Sequence, residues 1–386
     1  MHLGEGIILR VLKIFTSSFI VVTLIFIIIG CSGNLNDSVS DIDTYELSLS
    51  IDGQGSVKKE PDKNTFEENT EVDLTANPAE YWYFNKWEGS GFTGVKDKNI
   101  TVTMDSDLNL IADFSSRNFV YNNSDSEVRT SRIDGSNDKL VNEDNSDYWN
   151  VTWGPKDSKI IYCAGLPADI YKINPDGSGK SLLIENSNDV LNFPDCTSSG
   201  NKIAYINTSQ DKIVVIDING NTISTPVDFG SGPDNWSGLS WSPDGDKLII
   251  SSTWQDLDGP DKDLYILSSD GNGNWEAWED AQLLTNNSAE DEYPAWSPNG
   301  DKIAYVKNAD IYTINSTGDN PNNLTNSSSL ENHPTWSPDS DEIAFISDKD
   351  GDNQIFIMKA NGSDNKEDWF KVTTDKKVQE INWSNK

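Results

Sequence analysis

Only one histidine lies beyond the extreme N-terminus, because the chain has two, His2 and His333. A His-His metal site is therefore ruled out, and a Ser-His-Asp triad would depend on His333 alone. No Gly-x-Ser-x-Gly elbow occurs. Carboxylates are abundant instead: 63 Asp and Glu stand against 29 Lys and Arg, giving a formal net charge of -34. A carboxylate pair could serve glycoside hydrolysis, but such abundance leaves any one pair uninformative. Two Asp-rich runs, residues 256–261 and 348–352, invite a calcium reading. Both lack the glycine and glutamate that an EF-hand loop requires at its sixth and twelfth positions, and both read as turns. The acidic balance argues against nucleic acid as a partner, since phosphate binding needs a basic face. Cys163 and Cys196 leave two readings open, a bridge or two buried thiols.

The elements that must position any site are short strands set out by a repeated phrase. Residues 293–324 contain a Trp-Ser-Pro-Asn-Gly turn, an apolar run 303–306, a second run 311–314 and a polar turn. Pro298 presets φ and Gly300 supplies φ > 0, so the Trp side and the Ile side fold back as a hairpin. Trp241 and Trp336 open the same phrase, Trp153 opens a variant, and Cys196 stands where a Trp would in a degenerate copy. Trp383 opens a last copy cut short by the chain end, and its missing strands precede the first copy, at 119–121 and 128–133. The key positions recur roughly every 40–55 residues, the length of one four-stranded propeller blade. Counting the split copy once gives six blades, and a blade made from both chain ends removes the open edges.

This phrase, Trp-Ser-Pro-Asp-Gly-x-Lys followed by an alternating run, an Ile-Tyr-x-Ile strand and an Asp-Gly turn, resembles the TolB-type six-bladed β-propeller over residues 117–386. The resemblance implies binding of extended segments of envelope partners at the mouth of the central channel. The loops before each first strand would ring that mouth. They hold Tyr148 and Trp149, Asn192, Trp236, Glu290, Asp291, Glu292 and Tyr293, Glu331 and His333, and Glu380. The set is acidic with interleaved aromatics, which suits a basic or amide-rich peptide or a cation. The alternative is that the aromatics pack between blades while the acids are solvated.

Residues 1–30 carry Arg10 and Lys13 before an apolar stretch that ends at Gly30-Cys31. They read as a secretory leader. The ending resembles a bacterial lipobox, which implies lipidation of Cys31 and an exported, membrane-anchored protein. Residues 31–44 are polar and acidic, a flexible tether. Residues 45–115 read as a separate five-stranded unit. Its Gly-x-Gly turn, Trp87-Glu88-Gly89 and Ile-Thr-Val-x-Met run resemble a divergent InlB-type surface repeat. Trp82, Phe84 and Trp87 would fill its small core rather than stack on sugar.

The expectation is an all-β chain, a six-bladed propeller closed by both chain ends and preceded by a small β-rich repeat domain. It would sit lipid-anchored in the cell envelope and bind a protein or peptide without cofactor, metal or catalysis. A cell-surface adhesin or glycan binder is the first alternative, and a glycan-active enzyme using a carboxylate pair the second.

Overall fold

Two sheets of alternating strands make the N-terminal domain in the computed structural model. The described residues are 43–386, except 80–81, 143–146, 155–156, 166, 186–188, 229–234, 254–260, 272–273, 373–376 and 385–386. The leader, Cys31, most of the tether and most of the 256–261 run lie outside the described residues. One sheet has the order Thr65–Glu67, Thr44–Asp52, Leu108–Ser116, Trp82–Gly89, Phe92–Val95. The other has Gly55–Glu60, Thr70–Pro78, Asn99–Met104. Three of these eight strands escape a reading by hydrophobic alternation, which expects five. Gly55–Glu60 (GSVKKE) carries a single apolar side chain and is a strand because it pairs along its length with residues 73–78.

The alternating faces meet in one core of Leu47, Phe66, Val72, Leu74, Trp87, Val102, Met104, Leu110 and Phe114. Trp87 is fully buried, and the Phe84 ring lies 5.3 Å from it. Trp82 and Phe84 are half-buried against the same cluster, so these aromatics hold the small domain together. Gly89 explains the Trp-x-Gly pattern. It sits at φ +103°, and a Cβ there would lie 2.2 Å from the Asn109 carbonyl oxygen.

Six four-stranded antiparallel sheets follow. The strand nearest the centre of each is Tyr148–Trp153, Leu191–Cys196, Leu239–Trp241, Asp291–Trp296, Glu331–Trp336 and Val378–Trp383. Each of these inner strands touches the next, and the last touches the first, so they close a ring. The sixth sheet joins the chain ends: Val378–Trp383 pairs with Asn118–Asn123, which pairs with Val128–Arg132. Closure leaves no inner edge to recruit another chain.

The repeated phrase builds the hairpin between the first two strands of a blade. In the fourth blade Ser297 Oγ accepts the Lys302 N–H at 2.9 Å and donates to Asn299 Oδ1 at 2.8 Å. The Gly300 N–H bonds to the Ser297 carbonyl at 2.9 Å, with Gly300 at φ +82°. Ser242 and Ser337 repeat this arrangement with Lys247 and Glu342, and Thr197 stands in with Lys202. Ser297→Ala should cost about 1 kcal/mol through the lost side-chain bonds. Thermal melting followed by circular dichroism checks it, and an unchanged midpoint would show that the turn does not depend on this hydroxyl.

The key positions Trp153, Cys196, Trp241, Trp296, Trp336 and Trp383 are all buried. Two of them fasten neighbouring blades directly: Trp241 Nε1 donates to the Asp195 carbonyl at 3.2 Å and Trp336 Nε1 to the Ala295 carbonyl at 3.0 Å. Cys163 and Cys196 are free thiols in one apolar cluster, so of the two sequence readings the structure shows the packed pair. Desolvation pushes the Cys163 thiol well above its ordinary value.

Candidate functional site

The inner strands do not run straight. Pairing with the second strand slips between Trp149 and Thr152, Asn192 and Asp195, Glu292 and Ala295, Asn332 and Thr335, and Val378 and Glu380. The slip puts Asn150, Phe193, Tyr293 and His333 at φ between +49° and +52°. Gly238 takes the corresponding place in the third blade at φ +142°, where a Cβ would meet Tyr293 Cα at 3.3 Å. Left-handed backbone is costly for Phe, Tyr and His, and a bulge re-aims the side chain it carries. The re-aimed set, completed by Glu380, lines a pocket of ≈ 120 Å³ walled by all six inner strands. That pocket is the central channel.

Three of the residues expected at a mouth belong to this ring: Tyr293, His333 and Glu380. The Tyr293 and His333 rings lie against one another, tilted by 34° with centroids 4.2 Å apart. Glu380 reaches across to the first blade, where Oε1 accepts from Asn150 Nδ2 at 3.0 Å and Oε2 from the Val151 N–H at 3.3 Å. Asn150 Oδ1 in turn accepts the Phe193 N–H at 3.0 Å. Burial in the ringed channel pushes Glu380 up to about 7. The same desolvation holds His333 down at about 4, so its imidazole is neutral at physiological pH. Its Nδ1 is buried and meets no protein partner.

The other expected residues sit elsewhere. Tyr148 is buried against Tyr162, and Trp236 is buried separately, within the core of the second and third blades. Trp149 donates to Asn192 Oδ1 at 3.0 Å, a link between blades one and two. Asp291 and Glu331 are buried inside their blades. Asp291 accepts from Asn287 Nδ2 at 2.6 Å, and Glu331 from Ser327 Oγ at 2.7 Å and Ser347 Oγ at 3.2 Å. Burial raises both above the usual carboxylate range. Glu290 and Glu292 share Lys262, at 3.2 Å for Glu290 and in close contact for Glu292. These four acids thus do not form a free acidic rim. The reason is register: residues read as loop are the first residues of strands, and every second one turns into its blade.

A second ring lies one step along the channel: Thr152, Asp195, Ser240, Ala295, Thr335 and Asn382. It had no sequence signal beyond a fixed offset before each Trp. Its polar side chains take up backbone donors of the adjoining blade. Asp195 Oδ2 accepts the Trp241 N–H at 2.8 Å, Ser240 Oγ that of Trp296 at 3.2 Å, Thr335 Oγ that of Trp383 at 3.1 Å and Asn382 Oδ1 that of Trp153 at 3.2 Å. Desolvation pushes Asp195 up to about 6. Beyond this waist a second pocket of ≈ 150 Å³ opens among the Trp-Ser-Pro turns, and Lys96 of the N-terminal domain lines it.

Nothing in the described part of the ring supplies a metal cage, as no group of three or more His, Cys, Asp or Glu side chains is placed to hold an ion among the described residues. The carboxylates of the 348–352 run are engaged. Asp348 Oδ1 accepts the Leu330 N–H at 2.8 Å, Asp350 pairs with Lys371 at 2.8 Å and Asp352 with Lys377 at 2.8 Å.

The comparisons agree with this architecture. The divergent InlB B-repeat domain matches residues 45–118, and the TolB beta propeller domain matches residues 279–385. An uncharacterised protein of Agrobacterium fabrum is 29% identical over 184 residues, which is 45% of this chain and 59% of that protein's length. The crystal structure of TolB from Acinetobacter baumannii is similar at 18% identity and a TM-score of 0.55, over 69% of this chain and 66% of that one. A putative TolB from Agrobacterium tumefaciens is similar at 16% identity and a TM-score of 0.52, over 68% of this chain and 90% of that one.

Proposed function

We propose that this chain, in which a divergent InlB B-repeat domain precedes TolB-type propeller repeats, is a binding protein of the cell envelope. It is exported, anchored through a lipid on Cys31, and engages an extended segment of a protein partner at the channel mouth. The observation that carries this reading is the ring of Asn150, Phe193, Tyr293, His333 and Glu380. Four of these five hold strained left-handed backbone, and the strain turns large aromatic and polar groups toward the channel rather than into a blade. Aromatic anchors in a concave, preformed site are what interface hot spots are made of. The pocket is also well below the roughly 300–1,000 Å³ of a small-molecule site, which favours a protruding side chain or chain tip over a whole metabolite.

The test is capture from envelope extract by the full chain, beside a Tyr293→Ala/His333→Ala variant and a Lys371→Ala control on an outer strand. A protein held by the native chain and the control, and lost by the ring variant, is the expected result. Equal retention by all would remove the channel from the binding site. If no protein is held by any of them, the partner is not a protein and a glycan array is the next measurement.

A further inference from the structure

The channel pocket has an unbalanced charge. Glu380 and Asp195 both line it, from the sixth and second blades, and none of the described residues lining it is Lys or Arg. Glu380 accepts from Asn150 Nδ2 at 3.0 Å and from the Val151 N–H at 3.3 Å, and a carboxylate with about four acceptor sites keeps room for a further donor. Tyr293, His333 and Phe193 present ring surface to the same space. Lys262, whose charge acts on Tyr293, is occupied by Glu290 and Glu292. At the far side of the waist, the lining that includes Asp195 also includes the chain's own Lys96. The Lys96 end is thus supplied with a cation, and the Glu380 end is not.

We infer that the channel mouth takes one cationic side chain, a lysine or arginine of the partner, with the charged tip against Glu380 and the stem along Tyr293, His333 and Phe193. This rests on the binding reading above and names what the bound segment inserts. The volume suits it: ≈ 120 Å³ holds a few water molecules or the end of one long side chain. The chemistry suits it too. A carboxylate in a site walled off from water attracts a cation more strongly than a surface acid does, and aromatic faces add to the attraction. A neutral amide or a sugar hydroxyl would gain neither.

The groups that face the inserted cation set its pH dependence. Glu380 titrates near 7 and gains its charge as pH rises through that value. Asp195, near 6, is charged earlier. His333 stays neutral above about 4 and adds no repulsion. Tyr293 is raised by burial and remains neutral, while Glu292, Glu290 and Lys262 lie at its other side as a standing cluster. Cation binding therefore strengthens from pH 5.5 to pH 8.

The probe is n-propylguanidinium, with n-propylurea as the neutral isostere, added to the full chain. The chain has only two histidines, so the His333 imidazole resonance is identified by its absence from a His333→Asn variant. The expected result is a saturable shift of that resonance with guanidinium, in the millimolar range that suits so small a ligand. The urea should bind at least about tenfold more weakly, and guanidinium about tenfold more weakly at pH 5.5 than at pH 8. Glu380→Gln should remove the preference between the two. If urea and guanidinium bind alike, or Glu380→Gln binds guanidinium as the native chain does, the inference is wrong. Failure here with capture still lost by the Tyr293/His333 variant would leave the binding site standing and overturn only the cationic group. Failure of both would overturn the site.

Discussion

Trp383→Ala is expected to destabilise the propeller by about 3–5 kcal/mol, the cost of emptying a fully buried tryptophan site. Trp383 is 1% exposed. Its strand is the joint by which the C-terminal end of the chain pairs with Asn118–Asn123. The indole lies 4.8 Å from the Phe119 ring, and in the same cluster are Ala344, Ile346, Ile355 and Val372 of the fifth blade. One side chain thus spans the closing blade and its neighbour. The loss is one of packing and not of hydrogen bonding, because the indole N–H meets no protein acceptor. Trp383→Phe should accordingly cost only about 1–2 kcal/mol. Urea denaturation by circular dichroism measures both. A Trp383→Ala protein within about 1 kcal/mol of the native one would show that ring closure does not depend on this contact. A changed denaturant slope or a second transition would show that the closing blade opens first.

The same tryptophan shows why the blades are legible in the sequence while the site is less so. A turn of Trp-Ser-Pro-Asp-Gly type fixes local dihedrals, so it can be read from six residues and recurs at blade spacing. The split sixth blade follows once Trp383 is seen to lack its second strand. The N-terminal domain is half legible by the same measure. Leu108–Ser116 alternates cleanly, but Gly55–Glu60 and Thr65–Glu67 are strands through their ladder partners and not through their own pattern. The channel lining depends on something finer, a one-residue slip in the inner strand. Reading Asp291 and Glu331 as loop residues sends their carboxylates to solvent, whereas they begin strands and turn inward. Three residues before each Trp, the slip places Asn150, Tyr293, His333 and Glu380, with Phe193 and Gly238 in the same register. A signal for this exists in Phe193-Pro194, Tyr293-Pro294 and His333-Pro334, a proline at one offset from the key position in three blades. Asp195 carries no comparable mark. Its role appears only when the Trp241 N–H of the next blade is seen to bond it.

Glu380 gives the second large effect, in an unusual direction: the native protein should be more stable at pH 5.5 than at pH 8. The folded state raises Glu380 from 4.5 to about 7, and Asp195 from 3.8 to about 6. An acid raised on folding binds its proton more tightly in the folded than in the unfolded chain. Its contribution is complete below the unfolded value and is lost as pH climbs through the folded one. For Glu380 that window runs from about 4.5 to about 7. The shift corresponds to about 2 kcal/mol once the side chain's partial opening to the lumen is allowed for. Asp291 and Glu331, also raised by burial, act in the same sense. The opposing acids, Asp134, Asp176, Asp217, Asp244 and Asp350, are lowered below 3.8, so their loss begins only under about pH 4. His333 also opposes: held down at about 4 from 6.5, it costs stability as pH falls below 6.5 and offsets part of the gain from Glu380 and Asp195. Glu380→Gln isolates the effect from general charge repulsion. At pH 8 it should be about 1–2 kcal/mol more stable than the native chain, and its stability should vary less between pH 5.5 and pH 8. Thermal melts at the two pH values decide it, and a native protein that is steadier at pH 8 would sink the argument. The same substitution is expected to weaken guanidinium binding in the channel. A variant that folds better and binds worse would place the cost of a buried carboxylate at the site that uses it.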